Sequence, residues 1–370
     1  MRLADVVALL EDWYPPHTAH DWDRVGLVCG DPDAEVRRIL LAVDPVLPTA
    51  QEAAEWEADL LLTHHPLFLR GVHGVAETTP KGRTLATLTR AGCGLLTAHT
   101  NADQASPGVT DALARALGLR EVRPIRPVGV PLDKLVVFAP PGDAEPVRVA
   151  IAAAGAGHVG DYDSCSWTVT GEGRFRPLEG AHPTIGRVGE LERLDEVRIE
   201  AVVPRSRRAA VVEAMLAAHS YEEVSYDVLE LAEANSAATG AGRVGEVEPI
   251  TLGAYAEQVA RALPQTARGV LVGGDPGRDV RRVAVGSGAG DFLLGEVLAT
   301  DADVYVTSDL RHHPAAEFLE QGGPALLDVS HWAAEWTWLP ELAERLRSAL
   351  GDTVEVRAST ICTDVWQARR

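Results

Sequence analysis

Residues 37–66 read RRILLAVDPVLPTAQEAAEWEADLLLTHHP, two apolar runs that flank a segment rich in alanine and glutamate. RRILLAVD (37–44) and EADLLLTHHP (57–66) are typical of buried strands, whereas PTAQEAAEWE (48–57) has the composition of a helix. A strand, a helix and a second strand in this order predict a βαβ unit with a parallel sheet. The stretch therefore indicates an α/β fold.

The same order of elements returns near the other end of the chain, in RRVAVGSG (281–288) and DADVYVTSDLRHHP (301–314). Three pairs of residues share one offset of 244 positions: Arg37 and Arg281, Asp59 and Asp303, and Thr63 and Thr307. We therefore expect two pseudo-repeated α/β halves. The second HHP is displaced by SDLR (308–311), so the local geometries of the two copies cannot be identical.

Histidines and carboxylates follow the apolar runs of both halves. GLLTAHTNAD (94–103) ends in His99 and Asp103, and ALLDVSHWAAE (325–335) ends in His331 and Glu335. In parallel α/β sheets, ligands bind outside the carboxyl ends of the strands. These side chains, together with His64 and His65, are therefore expected to converge on one crevice.

The side-chain types at these positions suit a pair of divalent cations. Imidazole binds Zn, Fe, Ni or Mn, and a carboxylate can bridge two cations about 3.5 to 4 Å apart. We expect a dinuclear site formed by His64, His65, Asp103, His331 and Glu335, with Glu335 as the bridge. His64 and His65 are expected to serve different cations, because adjacent residues leaving a strand diverge. Alternatively, HHP is a turn before a proline and the other histidines are caps or core residues.

Three other features have two interpretations each. Asp309 and His313, with His312, are substrate-side candidates or parts of a surface turn. GSGAGD (286–291) follows a strand and could receive an anion at a helix N-terminus, or could be a tight turn. Asp23 could polarise water or cap a turn, and the cap is favoured.

The middle of the chain indicates a separate unit. Two stretches rich in proline, glycine and small residues, PIRPVGVPLDK (124–134) and ANSAATGAGRVGE (234–246), are predicted to be linkers. Between them, KLVVFAP, VRIEAVVP and SYDVLEL predict strands, and EPVRVAIAAAG and RRAAVVEAMLAAH predict helices. This order suggests a ferredoxin-like α+β insert at 129–235, which interrupts an α/β domain formed by 1–128 and 236–370.

Composition excludes several classes of protein. The 370 residues exceed one ordinary domain, and a net charge of -20 argues against a nucleic-acid partner. No apolar run approaches the roughly 18 residues that a membrane span needs. The first residues do not form a signal peptide, and the four scattered cysteines indicate free thiols. A cytoplasmic location is therefore expected.

Several motifs together resemble those of a known family, the dinuclear-metal proteins called GTP cyclohydrolase 1 type 2 homologues or NGG-interacting-factor-three-like proteins. The matching stretches are WDRVGL (22–27), THHPLF (63–68), HTNAD (99–103), GAGRVGE (240–246), DVYVTSDLRHH (303–313) and SHWAAE (330–335). GAGHVGDYDSCSW, GRFRP, PTIG and HSYEE resemble the PII/CutA-like insert of the longer bacterial members. The chain departs from the family pattern at two places, with Arg24 where many members have asparagine and SDLRHH in place of a GD-(I/L)-K-Y-H pattern.

The resemblance implies a homohexameric ring with two divalent cations per subunit, held by His64, His65, Asp103, His331 and Glu335, with His99 beside them. It also implies a metal-dependent hydrolase that acts on a small molecule such as a nucleotide, although no catalytic residue is assigned. The alternative is a non-catalytic metal-handling or regulatory hexamer whose insert senses a small molecule. An interaction scaffold that needs no metal is a third hypothesis.

Overall fold

The computed structural model describes residues 1–160, 162–232 and 234–370. The chain divides into two compact units, one formed by residues 1–128 and 237–370, the other by residues 129–236. Both units combine helices with a β-sheet. The predicted mixed α/β class is therefore confirmed.

The first unit contains a five-stranded sheet that is mostly parallel. Its strands, in spatial order, are β1 (Gly26–Cys29), β4 (Gly94–Thr97), β3 (Leu60–Thr63), β2 (Arg38–Ala42) and β15 (Glu355–Ala358). Only β1 is antiparallel to its neighbour. Helix α2 (Leu47–Glu55) connects β2 to β3, and α3 (Pro80–Arg90) connects β3 to β4. The βαβ unit predicted from residues 37–66 is therefore present.

A six-stranded sheet in the same unit has a parallel centre as well. Its spatial order is β11 (Leu271–Gly273), β14 (Ala325–Val329), β13 (Val304–Ser308), β12 (Asp279–Ala289), β10 (Ala234–Thr251) and β5 (Arg120–Val130). Strands β12, β13 and β14 are parallel, whereas β11 and β10 pair antiparallel with β14 and β12. Helices α9 (Leu294–Leu298) and α10 (His312–Glu320) connect the parallel strands.

Asp59 and Asp303 hold the beginning of a strand in the same way in both sheets. Oδ2 of Asp59 accepts hydrogen bonds from the backbone N–H groups of residues 37 and 38, at 2.7 and 2.8 Å. Oδ2 of Asp303 accepts from those of residues 281 and 282, at 2.8 and 2.9 Å. The two aspartates that share the 244-residue offset therefore have equivalent contacts.

Helices fill the space between these two sheets. They are α1 (Leu3–Trp13), α4 (Thr100–Gln104), α5 (Val109–Ala116), α8 (Leu252–Ala262), α11 (His331–Trp336) and α12 (Trp338–Leu350). Helices α5 and α11 contact β12, and α12 contacts β2 and β15. One buried core joins Ile39 and Leu62 of one sheet to Val283 and Val306 of the other. Among the described residues, no helix has both the length and the apolar composition to cross a membrane.

The two stretches predicted to be linkers contain the boundaries between the two units, but they are largely strands and not irregular chain. Residues 124–130 belong to β5 and residues 234–246 to β10, and these two strands pair. Strand β5 lies at the edge of its sheet, where proline is tolerated. Gly240 has a φ of 150°, and a Cβ there would lie 2.3 Å from the carbonyl oxygen of Arg126. The glycine therefore permits close approach of two strands rather than chain flexibility.

The second unit is a four-stranded antiparallel sheet with two helices. Along the chain it consists of β6 (Leu132–Ala139), α6 (Ala144–Ala153), β7 (Trp167–Phe175), β8 (Glu192–Pro204), α7 (Arg208–Ala218) and β9 (Tyr226–Glu230). The spatial order is β7, β8, β6, β9. Leu135 and Ile199 pack in one buried core with Val147 and Met215 of the helices. Sequence reasoning missed β7, in which nearly all residues are exposed and the alternation of WTVT gives way to GEGR.

Asp133 is a buried carboxylate of the second unit and is expected to make its stability depend on pH. It accepts hydrogen bonds from Arg208 at 2.8 and 3.0 Å and from Arg205 at 3.2 Å, which lower its pKa below the usual range. The stabilisation is therefore present above about pH 4 and is lost as the pH falls. We expect Asp133→Asn to lower the free energy of unfolding by about 1–3 kcal/mol at pH 7.

Thermal unfolding at pH 7 and pH 3 checks this prediction. The gap between the Asp133→Asn variant and the wild type should be smaller at pH 3 than at pH 7. Asp227→Asn, at an exposed position of β9, is the matched control and should behave as the wild type does. An equal gap at both pH values would show that Asp133 does not act through its charge.

Candidate metal centre

The residues predicted to bind metal come together at the carboxyl ends of strands. His64 and His65 follow β3, and Asp103 lies in α4, which begins just after β4. His331 and Glu335 lie in α11, which begins directly after β14. Helix α11 begins after a capping residue, because the Ser330 side chain accepts a hydrogen bond from the N–H of Ala333.

Glu335 lies at the centre of this cluster and is 2% exposed. Its Oε1 lies 2.9 Å from Nε2 of His331 and 3.3 Å from Nε2 of His64. Its Oε2 lies 3.1 Å from Nε2 of His65. Asp103 lies at the edge of the cluster, with Oδ1 3.8 Å from Nε2 of His64. One carboxylate therefore contacts imidazoles from both ends of the sequence.

Every histidine of the cluster has its Nδ1 held by an oxygen acceptor. The pairs are His64 with the carbonyl of Ala98 at 3.0 Å, His65 with Asp44 at 2.7 Å, His99 with Asp23 at 2.8 Å, and His331 with Asp309 at 2.7 Å. A proton on Nδ1 leaves the lone pair on Nε2, and the partner fixes the ring orientation. Metal-binding histidines have this arrangement.

Within the described residues, two buried atoms of the cluster, Nε2 of His64 and Oε2 of Glu335, make no well-aligned hydrogen bond, although each lies within 3.3 Å of a carboxylate or imidazole atom. In addition, Nε2 of His65 and Nε2 of His331 lie 3.2 Å apart, although both rings have an acceptor at Nδ1. Two ring nitrogens that face each other in a buried site are costly unless a proton or a metal cation lies between them. The donor set therefore fits divalent cations.

Two overlapping groups of side chains have ligand atoms within 4.8 Å of one another. One contains His64, His65 and His99, and the other contains His65, His331 and Glu335. His65 belongs to both groups. The assignment of His64 and His65 to different cations stays a prediction.

The carboxylates and imidazoles shift one another's pKa values. Burial alone would lower the pKa of both His65 and His331, but Glu335 with Asp44 raises that of His65 to about 10. Glu335 with Asp309 raises that of His331 to about 11. Burial alone would raise the pKa of Glu335, yet the surrounding imidazoles hold it well below its usual value. The ionised carboxylate of Glu335 and the protonated imidazoles therefore stabilise each other.

Strand β12 brings its backbone against the cluster at Ser287 and Gly288. The hydroxyl of Ser287 donates to Oδ1 of Asp103 at 2.7 Å. Gly288 has a φ of 65°, and a Cβ there would lie 2.7 Å from Oε1 of Glu335 and 3.2 Å from Nε2 of His331. Residues 286–289 of GSGAGD belong to β12, whose register is irregular between Val285 and Ala289, so this stretch borders the cluster as an irregular strand end and not as a tight turn.

We expect Gly288→Ala to reduce metal binding sharply. The new methyl group would displace Glu335 or His331, and the left-handed backbone would add roughly 1 kcal/mol of strain. Elemental analysis after dialysis, with a thermal unfolding curve, measures both effects. Gly295→Ala is the control, because a Cβ there meets no atom within 4 Å. Full metal content in the Gly288 variant would contradict the prediction.

The remaining sequence candidates have different positions. Asp309 hydrogen-bonds to Nδ1 of His331, a role different from the substrate-side position predicted for it. His312 and His313 are exposed at the beginning of α10 and belong to neither ligand group of the described residues. Asp23 accepts from Thr100 N–H at 3.0 Å and from His99, so it caps α4 and also orients an imidazole.

Sequence reasoning missed Asp44, although RRILLAVD ends on it. A carboxylate at the end of β2 satisfies the same strand-end rule that singled out His64 and His65. Its contact with His65 spans 21 positions of the sequence and became visible only in three dimensions.

Comparison with known proteins shows the family of this chain. A family model described as Duf34/NIF3 (NGG1p interacting factor 3) matches residues 1–365. The chain belongs to the Duf34/NIF3 family. Family members named GTP cyclohydrolase 1 type 2 homolog include one from Mycobacterium tuberculosis, 50% identical over 99% of this chain and 97% of its own length. One from Bacillus subtilis is 38% identical over 89% and 87%. The predicted family is therefore confirmed.

Solved structures of the family agree with the fold. A Bacillus cereus protein related to NIF3 superposes with a TM-score of 0.87 at 34% identity, and covers 99% of this chain and 98% of its own. A Staphylococcus aureus protein superposes with a TM-score of 0.76 at 27% identity, and covers 100% and 99%. The mixed α/β architecture over the whole chain is therefore that of NIF3-related proteins.

Proposed function

We propose that this chain binds two divalent cations through His64, His65, Asp103, His331 and Glu335, with His99 beside them, and uses them to hydrolyse a small molecule. One observation supports this proposal most directly. Within the described residues, Nε2 of His64 and Oε2 of Glu335 are buried among imidazoles and make no well-aligned hydrogen bond. Bound divalent cations would supply Lewis acidity and lower the pKa of water.

The chain's own contribution is to hold and shield the ligands. Asp44, Asp309 and Asp23 orient imidazoles through Nδ1, and Glu335 would be a ligand shared by the cations. His65 and His331 are partly exposed, with side-chain exposures of 22% and 30%, whereas His64 is fully buried. A cavity of about 190 Å³ lies beside His65 and His331. This is the side from which a substrate would approach.

The name GTP cyclohydrolase 1 type 2 homolog, carried by the relatives, suggests a nucleotide substrate. We further propose that the two α/β halves are internal repeats, which the equivalent contacts of Asp59 and Asp303 support. The β-α-β-β-α-β order of the second unit supports a ferredoxin-like, PII/CutA-like insert. A homohexameric ring in the cytoplasm completes the proposal.

The alternative, a metal-handling or regulatory protein, is favoured by the burial of His64 and Glu335, which shields a bound cation from solvent. The experiment begins with elemental analysis of the purified chain and its mass in solution. Samples loaded with Zn, Mn, Fe or Ni are then assayed against GTP, other nucleotides and cyclic amides.

Each outcome of this experiment has a distinct meaning. Metal-dependent turnover supports the hydrolase. Two cations without turnover on any substrate of the panel would reject the hydrolase in favour of metal handling. Fewer than two cations per chain would reject the dinuclear centre itself. A monomeric mass would reject the hexamer and leave the metal site untouched.

A further inference from the structure

The segment that follows β15 runs alongside the candidate metal centre. The N–H of Ser359 donates to the carbonyl of Leu41 at 2.7 Å, which extends the contact with β2 beyond the strand. The indole N–H of Trp336 donates to the carbonyl of Ser359 at 2.8 Å. The segment, residues 359–366, is therefore fixed against both β2 and α11.

Thr363 contacts the support of one metal ligand. Its hydroxyl donates to Oδ2 of Asp44, and Oδ1 of the same carboxylate accepts from Nδ1 of His65 at 2.7 Å. Asp44 has two oxygens and orients His65 with only one of them. The second hydrogen bond fixes the carboxylate plane, and through it the imidazole.

Asp364 contacts the support of the other ligands. Its side chain is buried, and Oδ2 accepts a hydrogen bond from the hydroxyl of Ser330. Ser330 caps α11, the helix that carries His331 and Glu335. Two adjacent residues of the segment therefore contact Asp44, which orients His65, and Ser330, which caps the helix of His331.

The same segment lines the cavity beside the ligands. Its wall includes His65, His331, Val365 and Trp366, and Trp366 is 58% exposed. Displacement of the segment would change the shape of this cavity along with the ligand geometry.

We propose that Thr363 and Asp364 are positioning residues of the metal centre, which lock its two sides into one geometry through Asp44 and Ser330. The inference rests on the proposed metal binding. Loss of a residue that hydrogen-bonds to a metal ligand usually weakens metal affinity 10–100-fold. Thr363 reaches the candidate ligand His65 through one further hydrogen bond, the one to Asp44. We therefore expect about a tenfold loss at the lower end of this range.

The test uses the full chain, stripped of metal and titrated with Zn²⁺ and with Co²⁺. Thr363→Val removes the hydroxyl at nearly constant shape and should weaken one binding step about tenfold and change the Co²⁺ absorption spectrum. Thr363→Ser keeps the hydroxyl and should restore both. Thr353→Val is the control, because its hydroxyl donates only to the nearby carbonyl of Leu350. Both valine variants should melt at similar temperatures.

A wild type that binds both ions and a Thr363→Val variant with the same affinity and spectrum would overturn the inference alone. A wild type that binds no ion would overturn the proposed function and the inference with it. If Thr363→Val weakens binding only through a lower melting temperature than Thr353→Val, the role is structural and the inference fails. Asp364→Asn is an independent second test, and it should also weaken metal binding and change the Co²⁺ absorption spectrum.

Discussion

Glu335→Gln is expected to abolish the binding of two cations per chain. Glutamine has nearly the same volume, but it has no charge and only one oxygen, so it cannot link the imidazoles that contact both carboxylate oxygens in the wild type. Loss of the shared ligand should weaken binding by more than about 100-fold, beyond the effect of a supporting residue. Elemental analysis and Zn²⁺ titration of stripped protein measure stoichiometry and affinity.

The matched control is Glu344→Gln, an exposed position on α12, and it should bind both cations as the wild type does. Thermal unfolding of the metal-free proteins separates a loss of ligand from a loss of fold. If the Glu335 variant still binds two cations with wild-type affinity, the bridging assignment is wrong.

The positions of the candidate ligands could be predicted in part, because each of them follows an apolar run that predicts a buried strand. His64 and His331 follow apolar runs whose length and β-branched or leucine-rich composition predict buried strands. Parallel strands bring their carboxyl ends to the same edge of a sheet, so His64 and Asp103 could be expected to meet. His331 and Glu335 follow a strand of the other sheet, and their approach does not follow from this rule. The rule works because sheet direction is encoded in short βαβ patterns.

The supports of the ligands could not be predicted in the same way. Asp44, Asp309 and Thr363 are ordinary polar residues in the sequence, and their roles depend on contacts with His65, His331 and Asp44 that span 21, 22 and 319 positions. No local pattern specifies which carboxylate faces which imidazole.

Glycine and proline misled the sequence analysis in the segment around residue 240. Their density predicts a linker, but Gly240 and Gly242 adopt positive φ values within a strand and allow the backbone of β5 to approach. A glycine needed for close packing and a glycine in a flexible loop are indistinguishable by composition. The burial of the neighbouring Arg243, which is visible in the structure and not in the sequence, distinguishes this segment from a loop.

Arg243→Met is expected to destabilise the first unit by about 3–5 kcal/mol, because it removes one partner of a buried ion pair. Arg243 is 1% exposed, and its guanidinium donates to Asp111 and to the carbonyls of Gly240, Gly242 and Ala105. Methionine fills similar space but leaves the carboxylate of Asp111 and three carbonyls without their donor. The melting temperature should fall by roughly 10 °C.

The control Arg281→Met, at an exposed position of β12, should change the melting temperature by less than about 2 °C. The double variant Arg243→Met with Asp111→Leu should recover part of the loss, since a buried charge without a partner costs more than its absence. Ala105 directly follows α4, which carries Asp103, so metal affinity should fall together with stability. A single variant as stable as the wild type would show that this buried pair contributes nothing to the fold.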